Sequence, residues 1–63
     1  MISESGWLDA AIEQAEISWA QGGIPIGAVL VDSDGVIVSS GHNERVQTGD
    51  PTAHAEVVCF RSA

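Results

Sequence analysis

Apolar residues recur with a helical period in the first third of the chain. Six of them follow the spacing of one face of an amphipathic helix, namely Trp7, Leu8, Ala11, Ile12, Ala15 and Trp19. Gly22 and Gly23 follow this stretch, and glycine commonly ends a helix because it adopts the left-handed conformation without steric cost. The pattern predicts one amphipathic helix that buries this stripe and ends before the two glycines.

Two apolar runs separated by turn residues come next. Residues 26–31 form a continuous apolar run with β-branched members, which is typical of a strand covered on both faces. Residues 32–35 read Asp-Ser-Asp-Gly, a turn composition in which the glycine supplies a positive φ. Residues 36–38 are again apolar and predict the second strand of a hairpin. The polar, glycine-containing residues 39–49 are predicted to form a loop.

A second helix is predicted to start at Asp50 and Pro51, because aspartate caps free N–H groups and proline suits the first helical position. Its buried stripe is predicted at i, i+4 and i+7, on Ala53, Val57 and Phe60. Cys59 lies on the same apolar side and is expected to be a small buried hydrophobe. The order helix, strand, strand, helix places the chain in the α/β class.

The charge of the chain restricts its partners. Nine acidic residues and two arginines give a formal net charge of −7. Such a surface repels phosphate backbones, so we expect a small-molecule partner and no nucleic acid. Acidity that merely keeps the protein soluble is an equally good account. No apolar run approaches the ~20 residues that span a bilayer, and no basic segment precedes an apolar one at the N-terminus. We therefore expect a cytoplasmic protein without a membrane partner.

His54 and Glu56 have the strongest potential for chemistry. Side chains in the first turn of a helix lean toward its N-terminus, so both can flank one atom near the end of the axis. Free N–H groups and the positive end of the helix dipole favour an anionic hydroxide there. A zinc ion on the imidazole would lower the pKa of a bound water, and the carboxylate would shuttle its protons. An ordinary helix histidine followed by a solvated acid is the alternative.

Asn43 is the second candidate. Its amide offers a donor and an acceptor together, which suits the edge of a nucleobase, while a turn asparagine is the alternative. His42 has no spacing that supports metal ligation, and Arg45 is expected to pair with an acid. Gln47 is expected to be a loop residue.

Three separated motifs resemble the N-terminal part of the cytidine/deoxycytidylate deaminase superfamily. They are residues 23–31 (Gly-Ile-Pro-Ile-Gly-Ala-Val-Leu-Val), residues 41–43 (Gly-His-Asn) and residues 50–56 (Asp-Pro-Thr-Ala-His-Ala-Glu). The resemblance is closest to the branch of fungal-type cytosine deaminases, guanine deaminases and tRNA adenosine deaminases. It implies a three-layer α/β/α fold with a mixed five-stranded sheet, of which this chain is the N-terminal helix-strand-strand-helix part.

The resemblance also implies roles for single residues. The histidine that matches His54 is a zinc ligand, and the glutamate that matches Glu56 is the general acid/base. The asparagine that matches Asn43 contacts the base, and the backbone at Ala55 lies against the substrate. Water on zinc attacks the carbon that bears the exocyclic amine, and ammonia leaves.

The family's Pro-Cys-x-x-Cys segment has no match in residues 1–63. The resemblance implies that this segment supplies two cysteine ligands, which are expected beyond Ala63. Zinc sites need about four ligands, and residues 1–63 supply one of them. We therefore expect residues 1–63 to be an incomplete deaminase domain that ends inside the zinc-binding helix. The isolated chain is expected to be inactive, and a complete family member is expected to form a homodimer.

Residues 41–47, Gly-His-Asn-Glu-Arg-Val-Gln, resemble the cytosine deaminase pattern G-H-N-x-R-x-Q. This likeness predicts the hydrolytic deamination of cytosine to uracil, a reaction of pyrimidine salvage. Residues 50–56 are equally similar to guanine and tRNA adenosine deaminases, so these substrates are alternatives. A non-catalytic truncated remnant of the family is a further alternative.

Overall fold

A computed structural model describes residues 4–63. Its elements are α1 (Glu4–Ala20), β1 (Gly27–Val31), β2 (Ile37–His42), α2 (Arg45–Thr48) and α3 (Ala55–Ser62). The predicted order of helix, strand, strand and helix is confirmed, with one additional short helix before the last. No helix in residues 4–63 has the length and apolar character that a bilayer crossing requires.

The two strands form the predicted antiparallel hairpin, in which Gly27 pairs with His42. Gly35 has a φ of 79°, and the Asp32 carboxylate accepts hydrogen bonds from the backbone N–H groups of residues 34 and 36. Strand β2 continues to His42, so the prediction of a loop from Ser39 was wrong. The serines and glycine of this stretch are polar or small, but their backbone pairs with β1, and sequence pattern does not report backbone pairing.

Helices α1 and α3 cover opposite faces of this hairpin. A Cβ on Gly27 would collide with the backbone of Ala11 in α1, whereas a Cβ on Gly41 would lie 2.6 Å from the backbone nitrogen of Cys59 in α3. Gly41 pairs with Ala28, the neighbour of Gly27, and successive strand residues face opposite sides. The hairpin is therefore the middle of three layers, which confirms the α/β class and the helix-strand-strand-helix part of a deaminase-like fold.

The buried face of α1 differs from the predicted stripe. Leu8, Ile12 and Trp19 are exposed, with relative accessibilities of 62%, 46% and 70%, while Ser18 is fully buried. The helix approaches the hairpin over the glycine at position 27, beside the backbone of Ala11 and Ala15. Trp7 of the predicted stripe does reach the hairpin, because its Nε1 donates to the Gly35 carbonyl at 3.1 Å. Gly22 ends the helix as predicted, with a φ of 79°.

Helix α3 begins at Ala55, so the predicted start at Asp50 was wrong. The Asp50 carboxylate instead accepts hydrogen bonds from the backbone N–H and the hydroxyl of Thr52, at 2.9 and 2.7 Å. Aspartate forms this local turn as readily as it caps a helix. Cys59 is buried as predicted, while Phe60 is 65% exposed and is not part of the core.

Candidate functional site

The N-terminus of α3 presents His54 and Glu56. His54 is the residue just before the helix, with extended backbone (φ −68°, ψ 155°), and its carbonyl accepts the first helical hydrogen bond from Val58 at 2.9 Å. Its imidazole makes no capping hydrogen bond and is exposed, as is the side chain of Glu56. The first N–H groups of a helix have no intrahelical acceptor and carry the positive end of its dipole. A free imidazole and a carboxylate thus lie beside a position that favours an anion.

Asn43 lies at the end of β2 and is held close to this helix end. Its side chain is buried, with 2% of its surface exposed. The next residue, Glu44, donates its backbone N–H to the carbonyl of Ala53 at 2.9 Å. The segment that contains Asn43 is therefore bonded directly to the segment that leads into His54. The structure brings these two predicted site residues into one region.

Ala55 is buried, with 1% of its surface exposed, and lies where α3 meets β2. A Cβ on Gly41 would lie 3.1 Å from the Ala55 carbonyl oxygen and 2.9 Å from the Cα of Cys59. Gly41 does not have a positive φ, so space rather than conformation explains the glycine. The close contact fixes the start of α3 against the strand that ends in Asn43.

Both the backbone N–H and the backbone carbonyl of Asn43 make hydrogen bonds. Its N–H donates to the carbonyl of Ile26 at 2.9 Å, and its carbonyl accepts from the Ser18 hydroxyl at 2.6 Å and from the Gln47 Nε2 at 3.0 Å. Its side-chain Oδ1 accepts from the backbone N–H of Arg45 at 3.1 Å. Ser18 was not recognised in the sequence, because a contact that spans 25 residues leaves no periodic signal. Gln47 was expected to be a loop residue, whereas it lies in α2, four residues after Asn43.

His42 belongs to the other face of the hairpin. Its Nδ1 and Nε2 lie 2.8 and 3.1 Å from the Oε1 atoms of Gln14 and Gln21 on the α1 side. Neighbouring strand positions point to opposite faces, and Gly41 faces α3. The structure therefore does not bring His42 together with His54.

The loop before His54 is held by Asp50. Its carboxylate bonds to Thr52 and lies 3.4 Å from the Arg61 guanidinium. The hydrogen bonds from Thr52, followed by those from Arg61 and its charge, hold the pKa of Asp50 below the usual value of 3.8. Arg45 makes no ion pair among residues 4–63, which contradicts the expectation that it pairs with an acid. Its side chain lines an open groove with Ile24, Val46, Gly49 and Pro51.

The potential zinc ligands in residues 4–63 are fewer than a zinc site requires. The unbonded imidazole of His54 suits zinc, but no group of three or more His, Cys, Asp or Glu residues that could hold a metal occurs in residues 4–63. Tetrahedral zinc sites use about four ligands. The described residues thus fit one position of a zinc site and do not complete it.

Comparison with known proteins adds to the geometry. A family model described as the cytidine and deoxycytidylate deaminase zinc-binding region matches residues 1–63. A cytosine deaminase from Candida albicans is 39% identical over 56 residues, which cover 89% of this chain and 37% of that protein. A tRNA-specific adenosine deaminase from Haemophilus influenzae is 46% identical over 52 residues, 82% of this chain and 30% of that protein. A guanine deaminase from Bacillus subtilis is 51% identical over 41 residues, 65% of this chain and 26% of that protein. The chain thus spans between 26% and 37% of the length of these three relatives.

Proposed function

The chain belongs to the cytidine and deoxycytidylate deaminase family, and on that premise we propose that it acts in the zinc-dependent hydrolytic deamination of cytosine to uracil. The observation that carries the proposal is the position of buried Asn43 beside the helix end that presents His54 and Glu56. The amide of Asn43 suits the edge of a base, the imidazole of His54 suits a metal, and the carboxylate of Glu56 can move protons.

In this proposal His54 is one zinc ligand, and the other protein ligands, two of them thiolates, come from outside residues 1–63. Zinc, when bound, would supply a water of lowered pKa. The exposed carboxylate of Glu56 follows His54 by two residues, so it can take a proton from such a water and return it to the departing amine. The first N–H groups of α3 favour the negative charge that a water oxygen carries once it has lost a proton.

Asn43 and the backbone at Ala55 would orient the base. The Oδ1 of Asn43 is already bonded to the Arg45 N–H, which leaves the amide nitrogen as the group that can donate to a base acceptor. Ala55 is small and buried against β2, so the start of α3 can approach a planar ring closely. Both features favour a flat heterocycle over a bulky substrate.

The choice of cytosine depends on two features. Residues 41–47 match the pattern G-H-N-x-R-x-Q, and the net charge of −7 opposes the approach of a polyanion such as tRNA. The structure adds a role for the last residue of that pattern, because the Gln47 amide bonds the Asn43 carbonyl. The similarity to a guanine deaminase over residues shared with this chain makes guanine the second candidate.

The test is a substrate panel with the full-length protein that the gene encodes. We expect ammonia release from cytosine with a kcat/KM at least ~100-fold above that for guanine or for an adenosine-containing tRNA transcript, a range that polar recognition readily gives. Glu56→Gln keeps the shape of the side chain and removes its acid/base function. We therefore expect it to retain zinc and to lower kcat by at least about 10²-fold.

Three results would overturn parts of this proposal. A preference for guanine or for tRNA would replace the substrate, and near-normal turnover by Glu56→Gln would remove that residue from its role. A full-length protein that releases no ammonia from any member of the panel would favour the non-catalytic alternative.

A further inference from the structure

We propose that Ser18 is a positioning residue for Asn43, a role that rests on the proposed contact between Asn43 and the base. Ser18 lies in the last turn of α1, 25 residues before Asn43, and has no exposed surface. A serine inside a helix usually bonds the carbonyl four residues earlier or points to solvent. Here the hydroxyl donates across the fold to the Asn43 carbonyl at 2.6 Å.

The bond from Ser18 constrains the site because the Asn43 backbone leads directly into it. With its N–H bonded to Ile26 and its carbonyl to Ser18, both peptide groups that flank the Asn43 Cα are fixed. The direction of the amide side chain follows from that Cα. Loss of the Ser18 bond would allow the carbonyl, and with it the side chain, to rotate.

Gln47 is a second residue that holds the Asn43 carbonyl. Its Nε2 donates to the Asn43 carbonyl at 3.0 Å and lies 3.1 Å from the Ser18 hydroxyl oxygen. A backbone carbonyl only accepts hydrogen bonds, so the amide must turn its nitrogen inward. Its Oε1 is then buried with no hydrogen-bond partner in the described part of the chain. An unpaired buried acceptor is costly, which indicates that the hydrogen bonds of Nε2 determine how the amide is oriented. Its acceptors are the Asn43 carbonyl, the Ser18 hydroxyl and, at 3.2 Å, the Oε1 of Gln21.

Gly23 makes room for this amide. A Cβ on Gly23 would collide with both terminal atoms of the Gln47 side chain, and Gly23 does not have a positive φ. Gly22, with a φ of 79°, would meet nothing within 4 Å. The two neighbouring glycines therefore have different functions: Gly22 ends the helix, and Gly23 gives space to the side chain that holds Asn43.

The test compares two buried serines with the same local chemistry. Ser39 donates its hydroxyl to the Cys59 carbonyl at 2.6 Å, just as Ser18 donates to Asn43, and this hydroxyl is not one of the groups bonded to Asn43. Ser18→Ala and Ser39→Ala each remove one buried hydroxyl and one carbonyl partner. Any general loss of stability is therefore common to both variants, and only Ser18→Ala removes a hydrogen bond from Asn43.

Two readouts are used on the full-length protein. In hydrogen exchange, the backbone N–H of Asn43 should exchange about tenfold faster in Ser18→Ala than in wild type. This change corresponds to ~1.4 kcal/mol in a local opening equilibrium. Its exchange in Ser39→Ala should stay near wild type. In turnover of cytosine, Ser18→Ala should raise KM about five- to tenfold with kcat within about twofold, the signature of lost uniform binding.

Gly23→Ala provides an independent second variant, because it displaces Gln47 without changing a hydrogen-bonding group. It should accelerate Asn43 exchange as well, whereas Gly22→Ala should not do so beyond any global loss of stability. Wild-type exchange at Asn43 in both Ser18→Ala and Gly23→Ala would overturn the proposal. So would an unchanged KM in an active Ser18→Ala enzyme. If wild type deaminates no base, the proposed function fails, while the exchange comparison still decides whether Ser18 holds Asn43.

Discussion

At the scale of single residues, the site depends on side chains that fix other groups rather than on isolated reactive ones. Asn43 is bonded through its N–H, its carbonyl and its Oδ1, so it is held before any substrate arrives. His54 and Glu56 are exposed and make no such contacts. In the proposed function, the rigidly held residue would recognise the base, and the two exposed residues would bind the metal and move protons.

Asp50 provides a prediction on pH dependence. Its pKa is lowered in the folded state by the Thr52 and Arg61 contacts, so its ionised form stabilises the fold above the ordinary pKa. That contribution is lost as the pH falls through the lowered folded pKa. Asp50→Asn can still accept from Thr52 but has no charge, so urea unfolding at pH 7 should show it to be less stable than wild type.

The difference between wild type and Asp50→Asn should shrink as the pH falls below about 3.8, the ordinary value of this carboxyl. Asp34→Asn, in the hairpin turn, is the control, because no ion pair involves Asp34 in residues 4–63. A difference that is constant from pH 7 to pH 2.5 would show that the ionisation of Asp50 does not contribute to stability.

At the scale of elements, close approach between glycine-containing strands and helix backbones determines where the site lies. Gly27 allows α1 to contact one face of the hairpin, and Gly41 allows α3 to contact the other. Because Gly41 is two residues before Asn43, the same contact that packs α3 also sets its N-terminus beside Asn43. The geometry of the site is thus a consequence of how tightly the layers pack.

Gly41→Ala tests this conclusion. The new Cβ would lie 2.6 and 2.9 Å from backbone atoms of Cys59, which cannot move as a flexible side chain can. We expect a loss of unfolding free energy of about 3 kcal/mol, at the upper end of overpacking effects, measured by urea denaturation. Gly49→Ala is the matched control: its Cβ would meet nothing within 4 Å, but its φ is 72°, so it should cost only about 1 kcal/mol. Equal or reversed effects would show that α3 does not need close contact with β2.

At the scale of the whole molecule, the described chain buries little apolar surface. Its buried apolar residues are small, namely Ala53, Ala55 and Cys59. Large apolar side chains are exposed on several elements: Leu8, Ile12, Trp19, Ile26, Val36, Val38, Val46 and Phe60. A surface of this kind is typical of a chain that packs against further protein, and a two-stranded sheet is rarely stable alone. We therefore expect the 63-residue chain to have a low stability margin by itself.

Metal binding also depends on the whole molecule, because the ligands of a zinc site come from several segments. Residues 4–63 contain no group of three or more potential metal ligands, so the 63-residue chain should bind zinc no better than a generic histidine-containing peptide. Isothermal titration calorimetry with a chelator control measures this, with His54→Ala as the matched variant. A one-to-one complex of micromolar or tighter affinity that is lost in His54→Ala would show that the chain supplies further ligands.

The sequence by itself determined the order of the elements, the hairpin turn at Gly35, the helix stop at Gly22 and the family. These features depend on local conformational preference or on motifs contiguous in the chain. It did not determine the start of α3, because Asp50 suits a turn and a helix cap equally well. It also did not show that Leu8, Ile12 and Trp19 are exposed, since a helical period identifies an apolar stripe but not the shape of its partner.

Only the tertiary structure decided how the candidate site is held together. The bonds from Ser18 and Gln47 to the Asn43 carbonyl join three segments, and the space at Gly23 and Gly41 is defined by atoms of other elements. Hydrogen bonding and steric fit act between groups that are close in space, whatever their separation along the chain. Motifs therefore pointed to the candidate residues His54, Glu56 and Asn43, and only the packing showed the contacts that hold Asn43 in place.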